Sequence, residues 1–275
     1  MKTRILTAVV GIPLLLYLIL AAPLWLFGVA LGVLCAIAAY ELLHMALGSA
    51  PKRIYFSAIL CAFVMPQIFA RGLEFSWGVG VLLLLFFVLS LEQMFTYPGH
   101  WRITLEMAAV AMLAGGVLPL MLSTLIRIGL VEDVGRVRML LPFVIAFGSD
   151  TGAYFTGMLC GKHKLAPHIS PNKTCEGAAG GVFAGALSAF LYGLILRRFC
   201  GMGVNLPALT VFGMLGSIVA QLGDLTFSAF KRQYNIKDYG SILPGHGGVL
   251  DRFDSIYYMA PLTEVWLVLA PAIWL

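Results

Sequence analysis

The stretch Leu24–Leu47, LWLFGVALGVLCAIAAYELLHMAL, decides the fold. About 20 consecutive apolar residues let an α-helix cross the hydrocarbon core of a bilayer. This run is that long and is interrupted only near its end, by Glu41 and His44. A helix that is apolar on every face needs protein or lipid all round it. Glu41 and His44 are three residues apart and share one face. They read equally well as lining a site or as a local polar pair.

The pattern recurs on both sides of this stretch. Nine segments qualify as spans: Ile5–Ala22, Leu24–Leu47, Ile54–Ala70, Phe75–Leu91, Ile103–Leu125, Met139–Leu159, Ala178–Leu196, Pro207–Phe230 and Ile256–Trp274. The third and fourth are short, consistent with tilt or partial residence at the interface. Pro13 and Pro261 fall inside spans and predict kinks. Lys2 and Arg4 precede an apolar run, as in a secretory leader, but further apolar segments follow at once, so a first transmembrane helix is expected. Composition agrees: of 275 residues, 60% are hydrophobic and 11% charged, whereas soluble domains carry about a quarter charged residues. The expectation is an all-α, polytopic transmembrane helical bundle of about nine spans, forming one integral membrane domain over residues 1–275. No linker, low-complexity tract, soluble domain or duplicated half is visible. The cysteines, Cys35, Cys61, Cys160, Cys175 and Cys200, form no CxxC pair and read as apolar filler, not as a disulfide framework or zinc site.

The formal net charge of +5 sits mostly between the spans. Topology and contact with anionic lipid or nucleotide explain it better than nucleic acid does. With nine crossings, 12 of the 18 Lys and Arg residues fall on the side of the N-terminus. Cytoplasmic loops carry the excess of positive residues, so the N-terminus is expected inside and the C-terminus outside. Two charged loops fall on that inner side: 161–175, GKHKLAPHISPNKTC, and 231–254, KRQYNIKDYGSILPGHGGVLDRFD.

Gln221, Asp224 and Ser228, at the end of the eighth span, share a helix face that Lys231 continues. Such a stripe is costly in lipid and should face protein or a water-filled cavity. The bland alternative is an Asp224–Lys231 pair that merely packs helices. The following loop is richer. Gly245, Gly247 and Gly248 permit positive φ and close approach of backbone to a ligand, and consecutive N–H groups in such a turn can form an anion-binding nest. His246 stands between glycines, and Asp251 and Asp254 flank Arg252. An ordinary loop gives no reason for two lysines, two arginines and three aspartates within 24 residues. If the turn folds back over the helix end, Asp224 and Asp251 can converge. Upstream, Asp150 lies well inside an apolar segment, which makes it a functional candidate. Thr174 is placed to cap the seventh helix, which Glu176 opens, and a helix N-terminus beside Lys173 suits a phosphate. Glu264, near the middle of the last span, has no evident chemical role.

The stretch Ser228–Asp254, SAFKRQYNIKDYGSILPGHGGVLDRFD, resembles the signature of phosphatidate cytidylyltransferases, the CDP-diacylglycerol synthases. The segments 148–154, GSDTGAY, and 170–177, SPNKTCEG, also look like that family, with Cys175 where an aromatic is more usual. The resemblance implies a reaction, CTP + phosphatidate → CDP-diacylglycerol + pyrophosphate. It also implies Mg2+ dependence with a second cation such as K+, a homodimer, and a place in the bacterial cytoplasmic (inner) membrane with the site facing the cytoplasm. On this reading Asp224, Asp251, Lys231 and Arg232 are catalytic. Asp224 and Asp251 hold Mg2+, with Asp254 as a third metal candidate. Lys173, Ser228, Lys237, His246, Gly247, Gly248, Arg252 and Asp150 bind substrate.

The chemistry suits these residues. A phosphomonoester has a second pKa of about 6, so the phosphate of phosphatidate is already an anionic nucleophile near neutral pH. No Ser or Cys nucleophile is required; catalysis reduces to positioning and charge neutralisation. Two rivals remain. An ion-coupled transporter would use Asp150 and Asp224 as ion sites, yet the charge gathers at one face instead of mid-bilayer. A CTP-dependent polyprenol kinase would cleave the γ-phosphate and release CDP.

Overall fold

The computed structural model describes residues 2–48, 50–97, 99, 102–240 and 247–274. Helices run in the order α1 (Lys2–Leu20), α2 (Leu24–Leu47), α3 (Lys52–Ala70), α4 (Phe75–Thr96), α5 (Leu105–Met112), α6 (Leu118–Gly129), α7 (Gly135–Arg138), α8 (Leu141–Cys160), α9 (Cys175–Phe199), α10 (Leu206–Gln233) and α11 (Leu250–Leu269). A wider turn of π-helix, Leu113–Val117, joins α5 to α6. Pro119 accounts for it: proline lacks an N–H and its ring collides with the carbonyl four residues earlier, here Gly115, so the helix opens by one residue as it passes.

Each of the nine expected segments holds a helix. Among the described residues, six helices are long and apolar enough to cross a membrane: Leu24–Leu47, Lys52–Ala70, Phe75–Thr96, Leu105–Gly129, Cys175–Phe199 and Leu206–Gln233. The third and fourth are longer than hydropathy alone suggests, because each helix continues through charged residues that the apolar run leaves out. Arg53 at the start of α3 and Glu92 near the end of α4 make that tolerable by pairing at 3.0 Å.

Among the described residues, two short antiparallel ribbons add to the expected all-α architecture. Strands β1 (Lys164–Ala166) and β2 (Ser170–Thr174) pair within the first charged loop, with Lys164 opposite Thr174 and Ala166 opposite Ser170. Strands β3 (Gly203–Val204) and β4 (Ile273–Trp274) pair near the end of the chain. The second charged loop is partly helical: its first residues complete α10 and its last ones open α11.

The helices pack as two compact units. The first comprises Met1–Leu130 and Asp238–Arg252. Within it α2 lies close against α3, where Gln67 Nε2 donates to the Gly28 carbonyl at 2.8 Å. Leu42, Leu43, Met65 and Phe69 are buried, whereas Phe56 and Phe95 are exposed, as suits a lipid-facing surface. The second unit comprises Val131–Lys237 and Phe253–Leu275. Here α9 presents buried Gly177, Gly181 and Gly185 at four-residue spacing. A Cβ on Gly213 of α10 would lie 2.8 Å from the Gly185 carbonyl oxygen, so the two backbones meet almost directly. In lipid, where apolar burial drives helices together only weakly, such close packing of small residues is a principal source of association.

Candidate active site

In the second unit the polar stripe of α10 faces protein. Ser228 Oγ donates to Asp224 Oδ1 at 3.2 Å. Gln221 Nε2 donates to the Ala178 carbonyl at 3.2 Å and reaches Ser149 Oγ at 3.4 Å. The other oxygen of Asp224 is paired with the ammonium of Lys173, delivered by β2. This is not the Lys231 partner that helix spacing suggests. Lys231 instead is a charged neighbour of Asp254, at the start of α11. Asp150, from α8, has Asp224 and Lys173 as its charged neighbours, and Asp254 has Asp224, Lys231 and Asp150. Three carboxylates and two ammonium groups from four elements therefore act on one another electrostatically.

A cavity of about 460 Å3 opens at this cluster. Asp150, Lys173, Gln221 and Asp224 give it a charged and amide side; Ala153, Met158 and Leu165 give it an apolar one. Its volume lies in the range of small-ligand pockets. Local sequence explains why Lys173 reaches it. Thr174 caps α9, accepting the Gly177 N–H at 3.1 Å, as expected from its position. The Glu176 carboxylate in the first turn accepts the Lys162 N–H at 3.0 Å and meets His163 Nδ1 at 2.6 Å. These contacts fasten both ends of the ribbon that carries Lys173. Arg232 Nε donates to the Ile169 carbonyl at 3.1 Å, and its Nη1 donates to the Ile236 carbonyl at 3.0 Å. It thus ties the ribbon's turn to the end of α10. Lys237 is exposed.

The Gly-rich turn and Asp251 belong to the first unit. Asp251 Oδ2 accepts the N–H groups of Tyr239 at 2.9 Å and Gly248 at 3.0 Å. Gly247 has φ +83°, a conformation that favours glycine. The next two N–H groups, of Val249 and Leu250, donate to the carboxylate of Glu41 in α2 at 3.0 and 2.9 Å. The Gly248, Val249 and Leu250 N–H groups form an anion nest, and the anions on them are the chain's own carboxylates. Arg252 is exposed. His246 lies outside the described residues, as do its neighbours Pro244 and Gly245.

The family profile described as Cytidylyltransferase family matches residues 2–270. A Staphylococcus epidermidis protein named phosphatidate cytidylyltransferase is 36% identical over 98% of this chain and 99% of its own length. Proteins of that name from Bacillus subtilis, 34% identical over 98% of each chain, and Staphylococcus aureus, 35% identical over 98% of this chain and 99% of its own, agree. The chain belongs to the phosphatidate cytidylyltransferase family.

The stretch Ser228–Asp254, which resembles the family's signature, thus divides between the two units. Ser228, Lys231, Arg232 and Asp254 lie in the unit that holds the cavity, and Gly247, Gly248, Asp251 and Arg252 lie in the other. The donors gathered around Asp224 are carboxylate oxygens, the ligands a hard divalent cation takes. Among the described residues no group of three or more His, Cys, Asp or Glu side chains stands ready to hold a metal ion. Asn172 and Gln221 also line the cavity, and Glu41 holds the turn, three placements that the sequence signals only indirectly. Their signals were adjacency to Lys173, the stripe shared with Asp224, and an acid inside an apolar helix.

Proposed function

We propose that the chain condenses CTP with phosphatidate, giving CDP-diacylglycerol and pyrophosphate, at the cavity beside Asp224. The observation that carries this placement is the convergence of Asp150, Asp224, Asp254, Lys173 and Lys231 at one end of α10, next to a cavity with a charged side and an apolar side. An oxygen of the phosphatidate phosphate attacks the α-phosphorus of CTP. The bond from that phosphorus to the oxygen bridging to the β-phosphate breaks, and pyrophosphate leaves with the electron pair.

Lys173 and Lys231 lower the cost of bringing two polyanions together. Ser228 orients Asp224 through its hydrogen bond. The apolar lining of Ala153, Met158 and Leu165 suits the diacylglycerol portion. Asp224 and Asp254 would hold Mg2+, which supplies charge neutralisation at the phosphate oxygens. A second cation such as K+ belongs to the same proposal. Asp251 is kept as a catalytic carboxylate and Mg2+ ligand on the strength of the signature, and Arg232, Lys237, His246, Gly247, Gly248, Arg252 and Asp150 as catalytic or substrate-binding residues. The reading extends to about nine spans, an N-terminus inside, an inner-membrane site open to cytosolic CTP, and a homodimer.

The test uses purified protein, phosphatidate, Mg2+ and CTP labelled in its cytosine ring. Label in the lipid phase with stoichiometric pyrophosphate supports the reading. Release of CDP, with no cytidine label in lipid, overturns it in favour of a kinase.

A further inference from the structure

The first N–H groups of a helix have no partner within it. α11 begins at Leu250, and the residue before it, Val249, offers no side-chain acceptor. Glu41 supplies one from another helix: one carboxylate oxygen takes the Val249 N–H and the other the Leu250 N–H. Glu41 is only 2% exposed. A buried carboxylate is strongly unfavourable unless it is paired or hydrogen-bonded, and a helix N-terminus favours its negative charge. The turn is fitted to it. A Cβ on Gly240 or on Gly248 would fall 2.6 Å from a Glu41 carboxylate oxygen, so neither position accommodates a larger residue without displacement. Asp251, one residue into α11, closes the same turn by taking the Tyr239 and Gly248 N–H groups on a single oxygen.

We propose that Glu41 is a positioning residue for the reaction: it clamps Gly248–Leu250 and thereby fixes the direction in which the Asp251 carboxylate points. Glu41 touches no substrate in this role. The inference rests on the proposed use of Asp251.

The test compares full-length E41Q, D251N and the double variant with wild type. The amide of E41Q keeps one acceptor but sets an NH2 against a backbone N–H. Losing one charge-assisted hydrogen bond predicts a fall in kcat of about 10- to 150-fold, with the KM for phosphatidate unchanged. The double variant should be no slower than D251N alone, because both changes disable one element. Hydrogen exchange at Tyr239 and at Gly248–Leu250 should speed up in E41Q, a readout independent of activity. Unchanged exchange there, or an unchanged kcat per folded molecule, overturns the proposal. If wild-type protein transfers no cytidylyl group, the reaction is wrong, and the exchange data still decide whether Glu41 holds the turn. Should E41Q fail to fold, G248A attacks the same contact from the turn and must speed the same exchange.

Discussion

Asp224 pairs with Lys173, a cation that β2 delivers from far upstream in the sequence. Helical periodicity makes Gln221, Asp224, Ser228 and Lys231 legible as one stripe, and the Ser228–Asp224 hydrogen bond bears that out. Periodicity carries no information about Lys173, far upstream in the sequence, because that contact depends on where a ribbon folds. The same holds for Glu41, whose partners Val249 and Leu250 are more than 200 residues away. An acid in an apolar helix announces that a partner exists without saying which. If Lys173 and Lys231 neutralise substrate phosphate, replacing either with alanine should lower turnover by about 10- to 150-fold, as loss of one charge-assisted hydrogen bond predicts. Steady-state kinetics on detergent-purified protein checks this. An alanine variant with wild-type kcat and KM would leave that lysine a topology or packing cation.

At the scale of elements, hydropathy located the helices because lipid imposes a simple demand, about 20 apolar residues per crossing. It missed the ribbon of β1 and β2. That segment is short and polar, and a two-stranded ribbon buries too little to impose an apolar pattern. Its order comes from side-chain-to-backbone bonds at its ends, those of Thr174 and Glu176. Thr174→Ala should therefore cost about 1 kcal/mol of stability, the usual price of a lost N-cap. Thermal unfolding in detergent should show a lower midpoint, and Thr174→Ser should restore it. An unchanged midpoint in Thr174→Ala would mean that the ribbon is held by other contacts. The π-turn at Leu113–Val117 was equally unreadable as such, although Pro119 was in plain view: proline indicates a disturbed helix, and packing selects the form the disturbance takes.

At the scale of the molecule, the division into two units left no trace in the sequence. The chain has no linker, and the first unit recovers Asp238–Arg252 from within the family signature. Orientation is a separate matter, resting on the bias of Lys and Arg between loops. A reporter inserted near Pro171 should read as cytoplasmic and one fused after Leu275 as external; both on one side would refute the nine-span arrangement. The central claim, that cytidylyl transfer takes place at the carboxylates around Asp224, has a more direct test. Transfer of cytosine-labelled CTP into lipid is measured for wild type and for Asp224→Asn, each shown to be folded by its thermal midpoint. Asparagine keeps the size of the side chain and much of its hydrogen bonding but removes the charge. The account predicts that Asp224→Asn retains almost none of the wild-type rate at any Mg2+ concentration, whereas near-normal transfer by the folded variant would contradict it.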